Sequence, residues 1–239
     1  MCLTRMTGEI KMRSEHVETL QVVNLALTRS SYTTIVPVYM MLHAGLFEFA
    51  VLAFDKFKSL NSASQSDLIF RRTICMDLLE STYRACFHFP EERETRMPGY
   101  TTYCRIDDLG KMFDTDMDGI DKAKITSEWT AAFKRLSRMV RSLFEYIKPS
   151  DFEFLAVLGL TFWNGESEAD AVQKIAHEVR REIMKELCKY YADCGTTDYA
   201  SRIGQLFCLV MNCQECAVNV MIDFQFCRLM NLFDSALKI

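Results

Sequence analysis

The stretch from Ile35 to Phe54 is almost uninterrupted apolar sequence, about as long as a bilayer core is thick, and Arg29 and Lys56 flank it. A segment of this kind either spans a membrane or forms a helix buried on all sides inside a layered domain. Pro37, His43 and Glu48 lie within the run, and ionisable groups are expensive in hydrocarbon, so the second reading is preferred. The expectation is an all-α chain with no membrane partner.

Composition agrees with helices. Nine glycines and four prolines in 239 residues are too few for a strand-and-turn architecture, whereas 14 methionines and 17 phenylalanines suit packed helices with an adaptable interior. A chain of this length, 49% hydrophobic, supports one large core without external staples. The formal net charge is -4 and no dense Lys/Arg run occurs, so direct DNA contact by this chain is not expected. The first residues, Met1 to Gln21, are polar and lack the apolar core of a signal peptide. The ten cysteines therefore read as reduced, mostly buried thiols, and no Asn-x-Ser/Thr acceptor occurs. Both features point to the nucleus, or to nucleus and cytoplasm.

Residues 1–31 read as an N-terminal extension or first helix, with Ser14 able to cap a short helix through Leu27; the domain proper then occupies 32–239. The cluster Asn61-Ser62-Ala63-Ser64 precedes a helical pattern from about Ser64 to Phe87 that must stop before Pro90. Residues 90–121, rich in Pro, Gly, Asp and Thr, suit a small hairpin or loop. Helical periodicity resumes over Thr126 to Tyr146 and breaks at Pro149; Ser150 caps a helix over Asp151 to Trp163. Asn164-Gly165 separates this from a helix over Glu168 to Ala192, and a last long helix covers about Asp198 to Phe233. One face of it carries Ile203, Leu206, Phe207, Val210 and Met211.

Catalytic chemistry finds no anchor. Asp114-x-Asp116-x-Asp118-Gly119 opens like a calcium loop, but Ile125 stands where the bidentate Glu belongs and Asp121 where an apolar residue does, so it reads as an acidic turn. Cys213 and Cys216 share a helix face as i and i+3 neighbours, without further zinc ligands. His16, His43, His88 and His177 are scattered, and neither a metal, a cofactor nor an enzymatic activity is expected. Arg84 stands out, because a guanidinium late in an apolar helix, between Tyr83 and Ala85, requires a carboxylate. That carboxylate is either a protein Glu or Asp or the acid head of an apolar ligand.

Three ordered stretches resemble the ligand-binding domain of nuclear hormone receptors, in particular the divergent nematode-type receptors related to the hepatocyte nuclear factor group. The segment Ala50 to Phe70, with Phe57-Lys58-Ser59-Leu60, Ser64-Gln65 and Leu68-Ile69, is similar to the family signature across the third and fourth helices. Asp151 to Leu158, followed by Leu160-Thr161-Phe162-Trp163-Asn164, resembles the eighth helix, and Tyr199 to Leu206 the start of the tenth. The resemblance implies a three-layer antiparallel helical sandwich around a lipophilic pocket, acting in transcription regulation. It implies Arg84 as the anchor of a fatty-acid-like ligand, Glu153 and Arg202 as a structural salt bridge, and Gln65, Leu68 and Ile69 near the groove for a coactivator or corepressor helix. Ile203, Leu206, Phe207 and Val210 then form the face for a homo- or heterodimer with another nuclear receptor.

There are departures. The lysine that clamps a coregulator helix in the family falls near Leu52, and Leu229-Met230-Asn231-Leu232-Phe233 has no activation-helix Glu; Ser235 to Ile239 is left as a shortened version. One CxxC does not furnish the two four-cysteine sites of the zinc module that reads DNA, so that module is not expected here. A ligandless dimerisation module with a filled core is the alternative reading.

Overall fold

The computed structural model describes residues 27–112, 122–165 and 170–229. A short strand β1 (Thr28–Arg29) leads into helix α1 (Tyr32–Ala53), the single turn α2 (Asp55–Lys58) and the long helix α3 (Ser62–His88). Strands β2 (Thr95–Arg96) and β3 (Thr102–Arg105) follow, then a 3-10 turn (Ile106–Asp108) and α4 (Leu109–Met112). Helix α5 (Lys122–Leu136) passes through a π turn (Ser137–Arg141) into α6 (Ser142–Ile147). The remainder is α7 (Asp151–Trp163), α8 (Asp170–Asp193) and α9 (Tyr199–Leu229). The described residues are all-helical apart from one small sheet.

The local chemistry of the boundaries is visible. Helix α3 begins two residues earlier than the cap pattern suggests, because the Asn61 side chain accepts from the Ser64 amide at 2.8 Å. It ends at His88, where Phe89 precedes Pro90 and is disfavoured in the helical region. Helix α7 opens with a complete capping box: Ser150 Oγ accepts from the Glu153 amide at 3.3 Å, and Glu153 Oε2 accepts from the Ser150 amide at 2.7 Å.

The contacts cluster into two compact units, and α1, α3 and α9 each contribute residues to both. In the first, residues 43–76 and 147–211, α7 is the innermost element, with every residue from Glu153 to Trp163 buried. Its Phe162 stacks on Phe54 at 5.4 Å between centroids, and Trp163 meets both rings edge-on at 5.2 and 5.5 Å. From Met41 onward helix α1 is less buried than its composition suggests. Leu46, Phe49, Ala50 and Ala53 face the core, but Met41, Phe47 and Leu52 are exposed, so the helix enclosed on all sides is α7.

The second unit comprises residues 26–42, 77–146 and 212–239. Its sheet has the order β1-β3-β2, with β1 parallel and β2 antiparallel to β3, and Arg96 opposite Cys104. This is the hairpin region anticipated between 90 and 121. Cys104, Ile106, Leu109, Met112 and Phe133 form a buried cluster with Trp129 packed against it.

Candidate functional site

Arg84 lies on α3 in the second unit with its side chain 11% exposed. Glu80, one turn back, takes it side-on: Nε donates to Oε1 at 2.8 Å and Nη2 to Oε2 at 2.7 Å. Nη1 donates to the Gly99 carbonyl at 2.6 Å and Nη2 to that of Met97 at 3.1 Å, while Tyr100 lies 4.8 Å from the guanidinium carbon. The carboxylate that Arg84 requires is supplied within the chain, and the guanidinium organises the β2–β3 connection.

On the same helix Asp77 receives Arg96 Nη2 on Oδ2 at 2.9 Å, and Ser81 Oγ lies 3.4 Å from the same nitrogen. Burial pushes the Asp77 carboxyl above its usual range against the opposing pull of Arg96. Arg141, only 3% exposed, donates to the carbonyls of Thr95 at 2.8 Å and of Phe89, and to Glu145 Oε1 at 3.0 Å. The sequence reading missed Arg141, because its side chain turns inward where the π turn adds a residue to the helical repeat. The one available signal was an arginine directly beside Val140 in the apolar stripe of the helix.

In the first unit Glu153 and Arg202 form a bidentate pair, Nε to Oε1 at 2.7 Å and Nη2 to Oε2 at 2.8 Å. Tyr191 donates its hydroxyl to Oε1 at 2.7 Å. Burial alone would raise the Glu153 pKa, but the hydrogen bonds from Arg202, Tyr191 and the Ser150 amide outweigh it and bring the group to about 2. Arg202 also donates to the carbonyls of Ile147 at 2.7 Å and Lys148 at 3.2 Å. Lys148 has a φ of 47°, a left-handed conformation that is uncommon for a side-chain-bearing residue, so Arg202 fixes a strained corner between α6 and α7. Next to this pair a cleft of about 370 Å³ is lined by Ser150, Tyr190, Cys194, Asp198 and Ser201.

The surfaces of α3 and α9 are more selective than periodicity implies. Leu68 and Ile69 are buried in the core and Gln65 donates to the Phe57 carbonyl at 3.0 Å; the residue they leave outside is Phe70. Leu52 is exposed, and nearby Lys56 is held by Glu178 at 3.1 Å and Glu182 at 2.7 Å. On α9, Leu206 and Val210 are fully buried in their own unit, so the surface is carried by their neighbours. Phe207 is 37% and Met211 56% exposed, Ile203 is half-buried, and farther along the helix Val218 and Ile222 are 60% and 56% exposed. Tyr199–Ile222 is long and apolar enough to cross a membrane, the one such stretch among the described residues, and a third of it is buried.

The scattered residues resolve simply. His43 Nδ1 lies 3.0 Å from Thr73 Oγ1, and Cys213 and Cys216 are buried thiols. Burial raises the thiols of Cys86 and Cys104 to about 11, which keeps them protonated. The acidic turn Asp114 to Gly119 and the segment beyond Leu229 lie outside the described residues.

Residues 32–230 match the family model for the ligand-binding domain of nuclear hormone receptor. The chain belongs to that family. A search of curated proteins gave no match. Membership accounts for the helical character of the described residues. Domains of this family regulate transcription and are not enzymes, so the candidate sites of this receptor domain are surfaces and ligand contacts, not reacting groups. Receptors of the family generally act in the nucleus, bind small molecules, dimerise and engage coregulators.

Proposed function

We propose that this receptor domain regulates transcription by pairing with a second ligand-binding domain, in the first instance its own copy, across the outer face of α9. The observation that carries the reading is the exposure of Phe207 and Met211 beside the buried Leu206, Leu209 and Val210. Large apolar side chains in a row on a helix surface mark an interaction face, and a two-fold pair covers the same face on both partners. Gly204 and Cys208 lie on this exposed face, and a Cβ built on Gly204 meets nothing within 4 Å, which permits close approach of a second helix. Burial of Cys208 in such a pair slows its alkylation. We expect iodoacetamide to label Cys208 more slowly as protein concentration rises while exposed Cys194 keeps its rate; equal behaviour of both thiols overturns the pairing. A coregulator's amphipathic helix is the second partner we assign, received near Gln65, Leu68 and Ile69, with exposed Leu52 and Phe70 as its apolar contacts.

An apolar molecule with an acid head at Arg84 is the second reading. It is favoured by a nearly buried guanidinium flanked by Tyr100, and it is constrained by Glu80, which such an acid must displace. Glu80→Gln is therefore expected to strengthen binding of labelled palmitate, and Arg84→Ala to abolish it, each by roughly tenfold or more in equilibrium dialysis. Unchanged binding by Arg84→Ala removes the acid clamp and leaves the pairing untouched.

A further inference from the structure

The π turn between α5 and α6 opens at Ser137, and positive charge gathers there although the chain as a whole is acidic. Lys134 and Arg135 stand three and two residues before Ser137, Arg138 follows it directly, and Arg141 closes the turn. Within the second unit Ser137 Oγ donates to the Arg93 carbonyl at 3.0 Å, which fastens the connection between α3 and β2 to the helix surface. Arg93 has a largely exposed side chain, with Nε 2.9 Å from Glu145 Oε2. Lys134 and Arg138 are exposed as well, and Arg138 Nε donates back to the Lys134 carbonyl at 3.3 Å. Ser137, Arg93, Arg96 and Arg141 line one recess of about 10 Å³, far too small for a free small molecule. The cations therefore surround the serine itself and not an interior cavity.

A hydroxyl in such surroundings suits one modification. Basic side chains at both three and two residues before a serine form a charge pattern that kinases with an acidic substrate groove select. A phosphate on Oγ brings about -1.5 to -2 charges and three acceptor oxygens, which guanidinium groups bind through charge-assisted hydrogen bonds. Arg93, Lys134 and Arg138 supply such donors at the surface. Phosphorylation also removes the proton that Ser137 donates, so the Arg93 carbonyl loses its partner while the Arg93 guanidinium gains one. Glu145, which gives up Arg93 in this exchange, keeps Arg141 at 3.0 Å. The π geometry helps presentation: the Ser137 carbonyl is held by Ser142, whose Oγ lies at 3.1 Å, and a widened turn at the surface belongs to the parts of a fold that open locally.

We infer that Ser137 is a phosphorylation site for a serine kinase that reads basic residues, and that Arg93 holds the phosphate and so re-anchors the connection between α3 and β2. In the transfer the Ser137 oxygen bonds to the γ-phosphorus of MgATP as the bond to the leaving ADP breaks, and the hydroxyl proton passes to the kinase's catalytic aspartate. The inference is independent of the pairing and ligand readings. The test incubates the full chain with MgATP and the catalytic subunit of the cyclic-AMP-dependent kinase, with fragmentation mass spectrometry to locate the phosphate and circular dichroism as the folding control. Wild type is expected to take up phosphate at Ser137, and Lys134→Gln/Arg135→Gln to do so at least about tenfold more slowly. In phosphorus NMR of the product, the second ionisation of the phosphoserine falls below its ordinary value of about 6 and returns toward it in Arg93→Gln, which leaves the kinase recognition residues intact. Absence of phosphate at Ser137 in wild type overturns the site, as does a rate indifferent to Lys134 and Arg135. An ordinary ionisation in wild type, unmoved by Arg93→Gln, overturns the role of Arg93. If Lys134→Gln/Arg135→Gln does not fold, the wild-type incorporation and the Arg93→Gln titration still decide.

Discussion

Arg202→Ala is expected to lower the unfolding free energy by about 3–5 kcal/mol, measured by urea denaturation at neutral pH. The substitution leaves the Glu153 carboxylate, 4% exposed, without its cation, and it releases the Ile147 and Lys148 carbonyls at the left-handed corner. The same pair dictates an acid limb of stability. Because the folded pKa of Glu153 is depressed to about 2 from 4.5, its contribution is complete above the unfolded value and is lost as pH falls from there toward 2. The amount is on the order of 3 kcal/mol, and the limb flattens in Arg202→Ala. A loss below about 1 kcal/mol would show that the pair merely offsets its own desolvation.

Arg141→Met is expected to destabilise the second unit by about 3 kcal/mol, although methionine matches the hydrocarbon part of arginine. The guanidinium ties the carbonyls of Phe89 and Thr95 and the Glu145 carboxylate to the π turn; methionine leaves three acceptors without their donor. The space beside it, lined by Thr82, Thr95, Arg96 and Phe133, amounts to about 10 Å³, room for little more than one water, so solvent replaces few of those bonds. Hydrogen exchange should then show the β2–β3 amides opening before those of α7. A neutral Arg141→Met with unchanged exchange would mean that the π turn holds its shape without the arginine.

The elements legible in the sequence are those set by local chemistry. The bounds of α7 follow from Ser150, Glu153 and the Asn164-Gly165 break, since caps act over one turn. Two features were not legible, each for a tertiary reason. The apolar run at Ile35–Phe54 and the α7 sequence are similarly hydrophobic, and only packing decides that α7 is enclosed while α1 keeps Met41, Phe47 and Leu52 outside. On α9 periodicity marks an apolar stripe, but Leu206 and Val210 face the core while Phe207 and Met211 face outward, a turn of the helix that hydrophobicity does not resolve. For Arg84 the need for a carboxylate was plain, and Glu80 four residues earlier was the local signal for which one answers it.

The measurement that bears most directly on the pairing account is sedimentation velocity of wild type beside Phe207→Glu/Met211→Glu. These substitutions place charge on the exposed face of α9 while sparing the buried Leu206 and Val210, so the fold should persist. The account predicts a dimer for wild type at micromolar concentration and a monomer for the double variant, with an affinity loss of roughly tenfold or more. A wild-type monomer at that concentration, or a dimer that tolerates both charges, would contradict it.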